Sequence, residues 1–138
     1  MTKSHLLSFL LGATAVFCIS MIGQSNAQSS GHVYELRTYH AVPGKLDALV
    51  ARFRDHTDTI FKRHDLKVIG YWIPQENTDN VFIYIVDHKS KADATKNWAA
   101  FQADEEWKKV RTESELNGPL QTKVDSVYMS PTDFSKLK

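Results

Sequence analysis

The chain has 138 residues, of which 17 are Lys or Arg and 16 are Asp or Glu, and it contains a single cysteine, Cys18. A balance this close to neutral disfavours a general nucleic-acid or anionic-membrane binder, because such proteins need a basic excess. The length suits one compact domain with a modest core, and domains of this size often gain burial by oligomerising.

Residues 1–27 have the pattern of a secretory signal peptide. Lys3 is positive, Leu6 to Ile22 is an uncharged apolar run, and Ser25-Asn26-Ala27 places small residues where a signal peptidase cleaves. The run of about 17 residues is at the lower limit for a membrane span, so an uncleaved anchor is the alternative. Cleavage after Ala27 removes Lys3 and Cys18, which leaves 16 basic and 16 acidic residues and no thiol. We therefore expect a periplasmic or secreted protein without disulfides or stable membrane association.

The folded domain is predicted to span residues 33–138, after a short tail at 28–32. Its first element is a strand over 33–40, VYELRTYH, and the following AVPG has turn chemistry, since Pro sets φ and Gly accepts a positive φ. From Lys45 to about residue 64, apolar residues recur every three or four positions, which predicts a long amphipathic helix.

The second half of the domain begins with an antiparallel hairpin. Strands are predicted over 67–74 and 81–86, and VFIYIV in the latter is apolar on both faces, which indicates a central strand. Ser90 is predicted to cap a helix. The apolar stripe of that helix later changes side, so we expect a break at which Asp104 caps a second short helix. A last strand is predicted over 122–129.

The predicted order of elements is strand, helix, strand, strand, helix, strand. This order is typical of the α+β ferredoxin-like fold, a βαββαβ arrangement with a four-stranded antiparallel sheet. Both helical regions cover one face of such a sheet, and the other face stays uncovered although the central strand is apolar on both sides. We therefore expect a homodimer in which two sheets face each other as a dimeric α/β barrel.

Four ordered segments resemble the NIPSNAP family: YELRTYHAVPGK, GYWIP at residues 70–74, NWAAFQADEEWKKVRTESE and MSPTDFS. The resemblance extends from Val33 to about Leu137. It implies the dimeric α/β-barrel group, which also contains small monooxygenases and haem-modifying enzymes, but it implies no settled catalytic residues. One departure is Glu105, where the family pattern has Pro after the capping Asp104; Glu in a first helical turn suits the helix dipole.

One face of the first strand is unusually polar, because alternation places Glu35, Arg37 and Tyr39 side by side. We expect Leu36 to face the helices, so these three side chains would face the partner's sheet inside the barrel. Buried charges are costly unless they are paired. The face is thus interpreted either as an ion pair that sets the dimer register or as the floor of a pocket for an oxygenated molecule. The candidate set is Glu35, Arg37, Tyr39, Trp72 and Tyr84.

The histidines show no metal-ligand pattern such as HExxH, and no metal is expected. His64 and His88 are candidates for a polar pocket or for haem ligation, since histidine ligates haem iron. No cofactor is expected otherwise. The sequence also has no phosphate-binding glycine loop and no GxSxG elbow.

Three functions remain open at this stage. The first is a binding domain for a small apolar or oxygenated molecule, with a cleft between sheet and helices and an unknown reaction. The second is a small oxygenase or haem-binding enzyme of the dimeric α/β-barrel group. The third is a structural or protein-interaction module whose barrel interior is filled.

Overall fold

The structure, a computed structural model, describes residues 31–137, so the predicted signal peptide and Cys18 lie outside the described residues. Four antiparallel strands form one sheet in the order β2-β3-β1-β4, which confirms the ferredoxin-like fold. The elements are β1 (Val33–Ala41), α1 (Leu46–Arg52), a π-helical turn (Phe53–Thr57), α2 (Asp58–Arg63), β2 (Lys67–Trp72), β3 (Val81–His88), α3 (Lys91–Ala103), α4 (Glu105–Ser114) and β4 (Gln121–Met129).

The long first helix runs through α1, the π-helical turn and α2 without interruption. In the turn, the Asp58 amide donates to the Phe53 carbonyl, and the buried Thr57 hydroxyl donates to the Arg52 carbonyl at 3.2 Å. The apolar spacing predicted the length of this helix correctly. It did not predict the π-helical turn, because one wide turn barely changes the spacing of the buried residues.

The predicted caps are confirmed. Ser90 Oγ accepts from the Asp93 amide at 3.0 Å and begins α3, and Asp104 Oδ1 accepts from the Trp107 amide at 3.0 Å and begins α4. The break between α3 and α4 turns the apolar side of α4 inward, so Val110 is buried.

The predicted orientation of β1 is wrong. Glu35, Arg37 and Tyr39 lie opposite Val86, Tyr84 and Phe82 of β3, and all six side chains face the helices. The alternation had correctly placed the three residues on one face, but it could not say which face is inward. The polar face is inward because other elements supply hydrogen-bond partners for its charges, as described below.

The opposite face of the sheet carries apolar side chains beside polar ones, and no helix among the described residues covers it. Leu36 lies between Ile85 of β3 and Val127 of β4. Val127 is 53% exposed and Trp72 is 46% exposed. We call this surface the open face. Among residues 31–137, no helix is long and apolar enough to cross a membrane.

Candidate functional site

The carboxylate of Glu35 lies at the centre of a buried polar cluster. Its Oε1 accepts from Ser126 Oγ at 2.6 Å and from Arg37 Nη1 at 2.9 Å. Its Oε2 accepts from Trp98 Nε1 at 2.6 Å and from His88 Nε2 at 2.9 Å. The donors come from β1, β3, β4 and α3, so the cluster joins the sheet to the helical layer. We call these five residues the Glu35 cluster.

The Glu35 cluster keeps its carboxylate ionised. Burial raises the pKa of Glu35, but the hydrogen bonds, that of His88 foremost, and the charge of Arg37 outweigh it and hold the pKa at about 2. A carboxylate with this pKa accepts hydrogen bonds and does not act as a general acid near neutral pH. Because the carboxylate can only accept, His88 carries its proton on Nε2, and His88 Nδ1 is buried without a partner among the described residues.

Arg37 lies between the Glu35 carboxylate and the solvent. Its guanidinium carbon lies 4.3 Å from the centre of the Trp98 ring, a stacked cation–π geometry. Among the described residues, the side chain makes one hydrogen bond, from Nη1 to Glu35, and its Nε is buried without a partner. The guanidinium is thus fixed in place while most of its donors are uncommitted.

Arg37 and Trp98 also line a cleft between the sheet and the helices. The cleft has a volume of about 420 Å³, within the range of small-molecule sites. Tyr39 and Gln121 line it from the sheet, and Trp107 lines it from α4. The remaining lining residues are Phe101, Gln102, Lys108 and Arg111. The polar face of β1 therefore opens into a cleft of the protomer itself.

Two neutral side chains in this cleft, Tyr39 and Gln121, each accept a hydrogen bond from a neighbouring side chain. Tyr84 is fully buried and donates its hydroxyl hydrogen to Tyr39 Oη at 3.3 Å, which leaves the Tyr39 hydrogen free to donate. Gln121 Oε1 accepts from Arg52 Nη2 at 3.1 Å. This bond orients the Gln121 amide so that its NH₂ group is the end left for another partner.

The remaining candidates lie apart from the cleft. Trp72 lies on the open face, where its ring covers Gly70 so closely that a Cβ there would come within 2.9 Å of it. His64 ends the first helix and its Nε2 bonds Asp104 Oδ2 at 2.7 Å. The structure therefore brings together Glu35, Arg37, Tyr39, Tyr84 and His88, but not Trp72 or His64.

Neither candidate histidine fits a haem ligand in this arrangement. An axial ligand needs a ring nitrogen that faces an open space large enough for the macrocycle. His88 is buried, with its ring near those of Trp98 and Tyr128, and its Nε2 is held by Glu35. His64 Nε2 is held by Asp104. Across residues 31–137, no group of three or more His, Cys, Asp or Glu side chains could hold a metal ion.

The sequence reasoning missed Trp98, Trp107, Ser126 and Gln121 as site residues. The position of Trp98 on the apolar side of α3 gave no sign of its hydrogen bond to a strand carboxylate. Ser126 is 91 residues from Glu35 in the chain. A signal was available in the need of a buried carboxylate for several donors, but it did not say which residues supply them.

The sequence profile of the NIPSNAP family matches residues 34–136, which is most of the chain. The chain is a member of the NIPSNAP family. Its solved structural neighbours include a NIPSNAP family protein from Agrobacterium tumefaciens, at 25% identity and a TM-score of 0.69, with 79% of this chain and 96% of that one covered. A NIPSNAP-like domain protein from Burkholderia xenovorans has 19% identity and a TM-score of 0.69, with 77% and 90% covered.

The NIPSNAP fold also resembles that of an antibiotic biosynthesis monooxygenase, at 14% identity and a TM-score of 0.50, with 72% of this chain and 98% of that one covered. At this identity the likeness concerns the fold alone. The comparison with curated proteins found no match.

Proposed function

We propose that this NIPSNAP domain binds a small oxygenated molecule in the cleft between its sheet and its helices. The observation that carries the proposal is the state of Arg37. Its guanidinium is stacked on Trp98 and fixed by the ionised Glu35, yet it keeps uncommitted donors beside a cleft. A cation that is held rigidly pays little conformational entropy when it binds a ligand oxygen.

The Glu35 cluster supports this proposal as a positioning device. In a purely structural ion pair, the two charged groups mainly satisfy each other. Here four donors satisfy the Glu35 carboxylate and Arg37 supplies only one of them, so most donors of Arg37 are left for another partner. The alternative is a structural or protein-interaction module, in which the cleft holds only water. That module is the outcome if no ligand is recovered.

Native mass spectrometry of the purified protein tests the proposal, because it reports bound small molecules and the oligomeric mass together. We expect a co-purified or added oxygenated ligand to be retained by the wild type and by Arg54→Met, and lost from Arg37→Met. Arg54 is an exposed arginine that, within residues 31–137, bonds only its neighbour Asp55, so it controls for the loss of charge. Equal retention by both variants, with both folded by circular dichroism, would refute a role for Arg37.

A small oxygenase is the second candidate function, and the fold similarity to an antibiotic biosynthesis monooxygenase supports it at the level of the fold. Oxygen uptake by the purified protein in the presence of its recovered ligand tests it. Haem binding is a version of this candidate that the placement of His64 and His88 does not favour, and a Soret band in the absorbance spectrum would support it. A colourless protein that binds no added haem would exclude the haem-binding version of the oxygenase candidate.

We further propose that the domain is an exported homodimer whose open faces pack together. The apolar open face supports the dimer, since an exposed sheet surface of this kind is typical of an interface. The signal-like pattern of residues 1–27 supports export to the periplasm or beyond. Detection of the protein in a periplasmic extract, with the mass of a chain that begins at Gln28, would support export with cleavage.

A further inference from the structure

The polar lining of the cleft is rich in hydrogen-bond donors. Arg37, Lys108 and Arg111 contribute three cations, and no Asp or Glu of the described residues lines the cleft. All three cations have a carboxylate partner, Glu35, Glu105 and Glu115 respectively, but these carboxylates lie outside the lining. Donors concentrated in this way favour an occupant with acceptor oxygens and a negative charge.

The neutral polar groups add to this preference. Tyr39 keeps a free hydroxyl hydrogen because its oxygen already accepts from Tyr84. Gln121 presents its NH₂ group because Arg52 occupies its oxygen. Tyr39 and Gln121 can therefore each donate to an occupant, and the oxygen of each already accepts one hydrogen bond.

The apolar lining is aromatic. The rings of Phe101 and Trp107 are 4.6 Å apart between centroids, and those of Trp98 and Phe101 are 5.8 Å apart. Rings arranged like this offer flat surfaces on which another planar π-system stacks. None of the described residues adds an aliphatic side chain to the lining, so the lining does not select for a branched or flexible chain.

We propose that the ligand of this cleft is a flat aromatic acid, with its carboxylate on Arg37 and its ring against the aromatic wall of Trp98, Phe101 and Trp107. The inference rests on the proposed binding function and specifies the class of molecule that the site selects. The negative charge meets the donors, and the planar ring meets the aromatic wall. Neither feature by itself satisfies the whole lining.

Calorimetric titration of the purified protein with three probes tests this class. The probes are 2-naphthoate, its neutral relative 2-naphthamide, and cyclohexanecarboxylate, which keeps the acid and lacks the aromatic ring. We expect 2-naphthoate to bind about tenfold or more tightly than either other probe, since a charge-assisted hydrogen bond or a stacked ring is lost in each. Arg37→Met should bring 2-naphthoate down to the level of 2-naphthamide, and Arg54→Met should leave it unchanged.

The indole N–H signals of the three tryptophans in a nuclear magnetic resonance spectrum show where the probe binds. We expect 2-naphthoate to shift the Trp98 and Trp107 signals and to leave Trp72, on the open face, in place. If 2-naphthoate and 2-naphthamide bind within about twofold of each other in the cleft, the acid preference is wrong and the binding function stands. If no probe binds and no molecule co-purifies, the binding function fails together with the inference. The comparison of probes uses the wild type, so it stays decisive even if Arg37→Met does not fold.

Discussion

The indole Nε1 of Trp98 on α3 donates to the carboxylate of Glu35 on β1 at 2.6 Å, while the ring of the same tryptophan lies 4.3 Å from the guanidinium carbon of Arg37. One side chain thus contacts both members of the ion pair, one through its edge and one through its face. This arrangement ties the position of Arg37, and with it the cleft, to the docking of α3 on the sheet.

Replacement of Glu35 by Gln should weaken the response of stability to acid. Because the pKa of Glu35 is lowered from 4.5 to about 2, its contribution is present above the unfolded value and is lost as pH falls through the folded value. The wild type should lose on the order of 3 kcal/mol from this group between pH of about 4.5 and 2. Urea unfolding at a series of pH values measures this loss, which should be absent in Glu35→Gln.

The exposed Glu76 provides the matched control for that variant, because Glu76→Gln removes a carboxylate from a polar turn. Glu76→Gln should keep the wild-type dependence on pH. The same acid dependence in Glu35→Gln as in the wild type would show that the buried carboxylate is not the source.

The hydrogen bond from Trp98 should be measurable by comparison of two tryptophan variants. Trp98→Phe keeps an aromatic ring under Arg37 and loses the donor to Glu35, whereas Trp107→Phe removes a tryptophan whose ring packs against Phe101 instead. We expect Trp98→Phe to cost about 1–2 kcal/mol more in the free energy of unfolding, because a bond to a charged acceptor is lost. It should also move the acid transition of Glu35 to higher pH. If Trp98→Phe and Trp107→Phe lower the free energy of unfolding equally and have the same acid transition, the hydrogen bond from Trp98 to Glu35 is contradicted.

Asp104 should show two separable contributions. Its Oδ1 caps α4 through the Trp107 amide, and its Oδ2 accepts from His64 and Arg63. The hydrogen bond from His64, first among the causes, lowers the pKa of Asp104 to about 2. Asp104→Asn keeps the cap and loses the charge, so Asp104→Ala should be less stable than Asp104→Asn by about 1 kcal/mol. Thermal unfolding of the two variants measures the difference, and identical stabilities would show that the cap contributes nothing.

A charge on the open face should prevent the proposed dimer. Val127→Glu places a carboxylate in the apolar sheet surface, which would be desolvated against a partner sheet. Leu116→Glu is the control, since Leu116 is 77% exposed and lies beyond α4 rather than on the sheet. In sedimentation at micromolar concentration, Val127→Glu should be monomeric while the wild type and Leu116→Glu are dimeric. A monomeric wild type would refute the dimer itself.

Much of the fold could be predicted because it depends on local signals. Neighbouring residues are enough to predict the apolar spacing of the first helix and the capping side chains Ser90 and Asp104. They are also enough to predict the turn at Gly44, which has a φ of +75°. The break between α3 and α4 could also be predicted, since a straight helix would have exposed Trp107. The candidate site was predicted only in part, and its orientation on β1 was wrong.

The sequence by itself determined the order of the elements, the ends of the helices and the grouping of Glu35, Arg37 and Tyr39 on one face of β1. Only the tertiary structure decided that this face is inward. Alternation has a period of two and says which side chains share a face, but both faces of β1 mix polar and apolar residues. The choice was made by His88, Trp98 and Ser126, which lie 53, 63 and 91 residues along the chain from Glu35 and reach its carboxylate only when sheet and helices pack together.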